Sequence, residues 1–122
     1  MKRALSLAIV AVALAVPVLA AAVGPLDGTY SVTETSSDGQ FLDYVVVLQT
    51  GTEIAVAILL PDVASWYYGR GNLSGSAAGG TLFLPEDYSS VGTFNLRLGA
   101  DGSLSGTLDT GETVNLNGSR IF

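Results

Sequence analysis

The residues able to do acid–base, nucleophilic or metal chemistry in this chain are almost all carboxylates. The 122 residues include 11 Asp and Glu, 0 His and 0 Cys, and the single lysine is Lys2. Because His, Cys and Lys are the usual general bases and nucleophiles, most acid–base and covalent mechanisms lack their reacting groups. Glycoside hydrolysis needs only two carboxylates, so it is the enzymatic chemistry that this composition leaves open.

The acidic residues fall mostly in predicted turns or on the water-facing side of predicted strands. Asp38, Asp101 and Asp109 each lie one or two residues before a Gly, where an Asp side chain bonds its own backbone. We therefore predict solvated turn acids, no catalytic residues and no enzyme. Glu86-Asp87 and the turn from Asp109 to Glu112 offer oxygen ligands, but neither has the spacing of a known calcium loop. We predict no metal site and no cofactor.

The elements that must carry these residues are strands, organised around the apolar segment from Phe41 to Leu60. Alternation with period two and many β-branched residues is typical of a strand with one buried face. We interpret Gln49-Thr50-Gly51 as a three-residue hairpin loop with Gly at its positive-φ third position. This loop pairs Val46 with Ile54 and places Tyr44 on the buried face.

The same loop rule predicts further hairpins along the chain. Their loops are Ser37-Asp38-Gly39, Ala100-Asp101-Gly102 and Asp109-Thr110-Gly111, and a four-residue loop that pairs Leu73 with Leu82 joins two more strands. In each hairpin the apolar rows of the two strands meet, so turn chemistry and strand pattern agree. We predict an all-β fold, an antiparallel up-and-down meander of about eight strands that forms a small barrel, with a β-sandwich as the alternative.

Residues 1–22 have the pattern of a secretory signal peptide, and they precede a single predicted β-barrel domain over 23–122. Lys2 and Arg3 come before an apolar run that ends near Pro17 and the triplet Ala20-Ala21-Ala22. A basic start, an apolar centre and small residues at the end indicate a signal helix that is cleaved, here near Ala22. We expect an exported protein, periplasmic or extracellular; the alternative is an uncleaved N-terminal membrane anchor.

The charge and the cysteine content of the chain limit the classes of binding partner that we expect. Without residues 1–22, three arginines stand against 11 acidic residues. So acidic a surface repels nucleic acid and anionic lipid, and we expect neither nucleic-acid binding nor stable membrane insertion after cleavage. Without cysteine, the exported domain depends on its core alone. The remaining candidates are a small apolar ligand, a protein partner or a second copy of the chain.

The segment Trp66-Tyr67-Tyr68-Gly69-Arg70-Gly71 is unusually rich in aromatic residues and glycine. The predicted alternation turns Tyr67, Gly69 and Gly71 inward, and an eight-stranded barrel either packs solid or holds one small ligand. The inward glycines leave room for that ligand, or they only let the strands coil and bend. The candidate ligand-binding residues are Tyr30, Tyr67, Gly69, Gly71 and Gly106.

Two outward groups form a candidate interaction surface. On the same strand Trp66, Tyr68 and Arg70 point outward, and these residue types dominate protein-binding hot spots. On the central hairpin the predicted outer face is apolar for a surface that meets water. It consists of Phe41, Val45, Val47, Ala55, Ala57 and Leu59. A partner or a second copy covers this face, or a sandwich buries it.

The ends of the domain show a family resemblance. Gly28-Thr29-Tyr30 opens the first predicted strand and Arg120 lies near the end of the last. This resembles the lipocalin and related calycin barrels, in which a Gly-x-Trp on strand one lies under a basic residue from the last strand; here Tyr30 takes the place of the Trp. The resemblance implies a closed, ligand-binding barrel and a structural cation–π contact between Arg120 and Tyr30.

Overall fold

The structure is a computed structural model that describes residues 26–122. The chain forms eight strands and one short 3-10 turn: β1 (Gly28–Ser36), β2 (Gly39–Thr50), β3 (Glu53–Leu60), the 3-10 turn (Pro61–Val63), β4 (Ser65–Ser74), β5 (Ala77–Phe83), β6 (Ser90–Leu98), β7 (Ser103–Asp109) and β8 (Thr113–Arg120). Within these residues no helix has the length and apolar character needed to cross a bilayer. The predicted signal peptide over residues 1–22 lies outside the described residues.

The eight strands form a closed barrel in which each strand pairs antiparallel with its neighbour in sequence and β1 closes on β8. The all-β meander and its closure are confirmed, and the sandwich alternative is excluded. Closure leaves no free sheet edge for another chain to extend. The two ends of the barrel differ. The start of β1 and the end of β8 lie at one end, which we call the closed end, and the β1–β2 and β7–β8 turns lie at the other, which we call the mouth.

Side chains from all eight strands fill the interior. The buried core includes Tyr30, Val32, Val45, Val47, Ile54, Val56, Ile58, Ala78, Leu82, Phe94, Leu96, Leu98, Leu104, Leu108 and Leu116. Val56 and Leu96 point inward as predicted, and Val114 packs against the same core. Burial of these side chains is the main stabilising contribution to the fold.

The prediction of which β2 side chains point into the barrel is wrong. Gly51 and Thr52 form a two-residue turn, with Thr50 opposite Glu53, so Val45 faces Ile58 rather than the outside. Gly51 has φ +61°, which suits the first central position of a type II′ turn. The observed pairing differs from the predicted one by an odd number of residues, and such a shift turns the side chains of a strand to the opposite face of the sheet. Tyr44 therefore points outward and Val45 is completely buried.

Other hairpins differ in register to varying degrees. The β6–β7 register, with Leu98 opposite Leu104 and Phe94 opposite Leu108, is the predicted one. The β7–β8 pairing is displaced by two residues from the prediction, which preserves the faces. The β4–β5 loop has two residues, Gly75 and Ser76, rather than four, so Leu73 lies opposite Ala78 instead of Leu82.

Candidate functional site

The mouth of the barrel contains an open cavity of about 340 Å³. This volume lies at the small end of the range typical of small-molecule sites. One part of its wall is apolar and consists of Phe41, Leu60, Tyr67, Leu108 and Val114. Another part carries the carboxyl groups of Glu34, Asp38, Asp62 and Glu112. The cavity therefore offers apolar contact and negative charge to the same occupant.

Separate elements bring these residues together. Glu34 lies near the end of β1 and Phe41 near the start of β2, directly opposite each other in the β1–β2 pairing. The 3-10 turn after β3 places Asp62 above the mouth, and the β7–β8 turn contributes Glu112. Ser37 Oγ donates a hydrogen bond of 2.5 Å to Glu112 Oε2, which ties the β1–β2 turn to the β7–β8 turn.

Asp43 lies on the inner face of β2, behind the mouth, and is 0% exposed. Neither of its carboxyl oxygens accepts a hydrogen bond from a backbone N–H or from an uncharged or positively charged side chain. Its polar neighbour is Glu34, and two carboxyls can hydrogen-bond only when one of them carries a proton. Burial first, then the hydrogen bond to Glu34 and the negative charges of Glu34 and Asp62, raise the pKa of Asp43 to about 9.

Sequence reasoning missed this buried acid. It placed Asp43 on the outer face because the loops on both sides of β2 were predicted to have three residues, whereas each has two. It also expected no converging carboxylates, whereas Glu34 and Asp43 converge inside the barrel. The available signal was a lone acid within the apolar alternation of β2, which becomes informative only once the register is known.

The predicted ligand-binding residues do not form one site. Tyr67 lines the mouth, whereas Tyr30 is completely buried at the closed end. The space above Gly69 is occupied: a Cβ there would lie 2.6 Å from Val56 Cγ2 and 2.9 Å from Phe94 Cε1. At Gly71 and Gly106 a Cβ would collide with the backbone of the neighbouring strand. These two glycines allow the strands to approach closely.

A hydrogen-bonded cluster fills the closed end. Tyr30 Oη donates to the carbonyl of Leu26 at 2.8 Å, and the backbone N–H of Gln49 donates to Asp27 Oδ1 at 2.6 Å. Arg120 lies opposite Tyr30 in the β1–β8 pairing and its guanidinium donates to the Asp27 carbonyl at 3.4 Å. Burial is the main cause that raises the pKa of Tyr30, while the charge of Arg120 and its hydrogen bond to Tyr30 act in the opposite direction.

A second concave surface lies on the outside of the barrel. This outer groove, about 380 Å³ in volume, is lined by Val46, Leu48, Ala55, Ala57, Trp66, Tyr68, Pro85 and Tyr88. The rings of Tyr68 and Tyr88 meet edge to face with centroids 6.5 Å apart. Trp66 and Tyr68 therefore lie on the outer face as predicted, and Arg70, on the same face of β4, is exposed.

Two of the other predicted surface residues lie elsewhere: Val45 is inside the barrel and Phe41 lines the mouth. Leu59 is on the outer face as predicted, but it is only 2% exposed because it lies between its strand partners Tyr44 and Trp66. The outer face of the central hairpin is apolar and includes Ala55 and Ala57, as predicted. On β2 it is made by Val46 and Leu48 instead of Val45 and Val47.

The fold and its cavities define a closed, eight-stranded up-and-down β-barrel with one open end. Comparison of the chain with protein-family models, with curated proteins and with solved structures finds no match in any of the three.

Proposed function

We propose that this protein is an exported, non-catalytic binding module that holds a small ligand with an apolar or aromatic body in the mouth of its barrel. The observation that carries the proposal is the open cavity of about 340 Å³ at one end of an otherwise filled barrel. Phe41, Tyr67 and Leu108 supply the apolar contact, and the carboxyls that line the same cavity orient the ligand. The export is inferred from the signal pattern of residues 1–22.

A non-catalytic role is favoured by the position of the paired carboxyls. Asp43 is 0% exposed, so a substrate in the mouth meets Glu34 but not its partner. In glycosidases the two carboxyls flank the bond to be broken and lie about 5–10 Å apart. Glu34 and Asp43 instead share a direct hydrogen bond, which leaves no room for a substrate between them.

We extend the proposal to a lipocalin-like organisation. The support is the pairing of Tyr30 on the first strand with Arg120 on the last, at the end of the barrel opposite the mouth. The Arg120 guanidinium hydrogen-bonds the Tyr30 side chain there. This contact closes one end of the barrel and leaves the other for a ligand.

Fragment binding followed by NMR tests the function. Small apolar and aromatic compounds should shift the backbone amides of Phe41, Tyr67 and Leu108 and leave those of Trp66 and Tyr88 unchanged. Shifts confined to Trp66 and Tyr88 would contradict the mouth as the binding site. A complete lack of shifts at either surface would contradict a small-molecule role.

The outer groove supports a second candidate function, which is binding of a protein partner or a second copy of the chain. Its specific support is the row of Trp66, Tyr68 and Arg70 along one face of β4 beside an apolar depression. Aromatic residues and Arg are enriched where binding energy is concentrated. Native mass spectrometry of the exported protein distinguishes the two functions, because a dimer that dissociates on Trp66→Ala favours the groove, whereas a monomer with a retained small molecule favours the mouth.

A further inference from the structure

The acidic residues of this chain are concentrated at the mouth. Glu34, Asp38, Asp62 and Glu112 line the cavity, and Asp43 lies behind Glu34. Among the described residues that line the mouth none is basic, and Arg120 lies at the closed end. A concave surface with charges of one sign and apolar walls focuses the electrostatic field, so the mouth attracts cations.

The buried carboxyl of Asp43 contacts Glu34 on the inner face of the barrel. No other group donates a hydrogen bond to its two oxygens. Two adjacent carboxyls repel each other when both are ionised, so a proton or a nearby positive charge stabilises the pair. Glu34 lines the cavity, so a cation in the mouth can contact this member of the pair.

The surroundings distinguish an organic cation from a metal ion. Within residues 26–122 no three acidic side chains are arranged to hold a metal ion. Phe41, Leu60 and Tyr67 line the same cavity as the carboxyls and offer contact for a carbon skeleton. An ammonium group presents up to three N–H donors to carboxylate oxygens, and an attached apolar body matches these apolar side chains.

We propose that the mouth binds a small organic ammonium ion, an amine with an aromatic or aliphatic body, whose cationic group contacts Glu34 and whose body lies against Phe41 and Tyr67. This inference rests on the proposed function and adds the charge of the ligand to it. The carboxyls of Asp62 and Glu112 at the rim contribute to the attraction without direct contact.

Three probes of matched size and different charge test the inference: benzylammonium, benzyl alcohol and benzoate. Each is titrated at neutral pH into the full chain while NMR follows the amides of Phe41, Tyr67 and Trp66. We expect benzylammonium to shift Phe41 and Tyr67 with a Kd about tenfold or more below that of benzyl alcohol, because a charge-assisted hydrogen bond is added. Benzoate should cause no shift.

Charge variants then assign the preference to the mouth. Glu34→Gln should raise the Kd of benzylammonium about tenfold and leave that of benzyl alcohol unchanged. Glu53→Gln removes the same charge at the β2–β3 turn of the closed end and should leave both unchanged. Asp62→Asn changes an exposed residue of the 3-10 turn, so it is not expected to disturb folding, and it should raise the Kd of benzylammonium about threefold.

The possible failures are distinguishable. Equal affinity of benzylammonium and benzyl alcohol at the mouth would overturn the cationic preference and leave the proposed binding function standing. No shift of Phe41 or Tyr67 with any probe would overturn both. An unchanged preference for benzylammonium in both Glu34→Gln and Asp62→Asn would show that the cation binds elsewhere.

Discussion

Asp43 and Glu34 are diagonal neighbours on the inner face of the β1–β2 pair. Glu34 lies opposite Phe41, and Asp43 lies opposite Val32. Side chains in this diagonal relationship on one face of a sheet are within reach of each other. Because Asp43 is buried and hydrogen-bonded to Glu34, its pKa rises to about 9, and the folded protein retains a proton that the unfolded chain releases near pH 4.

The retained proton makes the free energy of unfolding depend on pH. Asp43 binds its proton more tightly in the folded state, so its contribution is complete below about pH 4 and is lost as pH rises toward about 9. We expect stability to fall by on the order of 1 kcal/mol per pH unit between pH 5 and pH 8. Hydrogen bonds from Ser89 and Ser103 lower the pKa values of Asp87 and Asp101, so these exposed acids titrate below this window. Urea unfolding at several pH values measures the slope.

Asp43→Asn provides the matched test of this assignment. The amide has nearly the same shape as the protonated carboxyl and donates to Glu34 at every pH. Its stability should therefore be nearly constant from pH 5 to pH 8, while Asp38→Asn, in the exposed β1–β2 turn, should keep the wild-type slope. If the free energy of unfolding falls with pH equally in Asp43→Asn and in the wild type, another group causes the pH dependence.

The closed end should depend on the hydroxyl of Tyr30. Tyr30→Phe removes the hydrogen bond of 2.8 Å to the Leu26 carbonyl inside the barrel. We expect a loss of about 1–2 kcal/mol in the free energy of unfolding, since a buried acceptor loses its partner. Tyr67→Phe removes the same atom at the open mouth and should change stability by less than about 0.5 kcal/mol. Chemical denaturation measures both variants, and an equal loss of stability would contradict a buried hydroxyl at the closed end and an accessible one at the mouth.

The interior around Gly69 should not accept an added methyl group. In Gly69→Ala the new Cβ meets Val56 Cγ2 at 2.6 Å and Phe94 Cε1 at 2.9 Å, and such overpacking costs about 1–3 kcal/mol. Gly79→Ala is the control, because its Cβ meets the flexible end of the Asn95 side chain at 3.1 Å and the Phe94 carbonyl oxygen at an ordinary contact distance of 3.6 Å. Thermal unfolding measures both variants. A double mutant tests the contact with Phe94: in the Phe94→Leu background, Gly69→Ala should lower stability by less than it does in the wild type. An equal loss of stability in both backgrounds would show that the ring of Phe94 does not fill this space.

The register of the central hairpin can be tested with cysteines, since the chain contains none of its own. Val46 and Ala57 are cross-strand partners on the outer face. We expect Val46→Cys with Ala57→Cys to form a disulfide on mild oxidation, because paired residues have Cβ atoms close enough to bridge. Val46→Cys with Ile54→Cys, the pair expected from a three-residue loop, should stay reduced. Thiol titration after oxidation decides between the two registers.

Local sequence was sufficient to predict the register of the β6–β7 hairpin and insufficient to predict that of the β2–β3 hairpin. In β6–β7 the leucines alternate with polar residues, so only one register buries them, and Gly102 takes a φ of +88° in the loop as its position requires. In β2 both faces are apolar, so the alternation does not identify the inner one. Gly51 suits either the first position of a two-residue turn or the third position of a longer one, and the sequence holds no further signal between them.

The sequence by itself predicted about eight strands and their antiparallel order, and it favoured a barrel over a sandwich, because alternation and turn residues act over a few neighbouring positions. The closure of the barrel was decided by the tertiary structure. The tertiary structure decided which end is open, which acid is buried and which residues share the mouth. Glu34, Asp62 and Val114 meet there only because β1 closes on β8 and the 3-10 turn lies above the opening. That arrangement depends on the register of every hairpin together, which no single segment specifies.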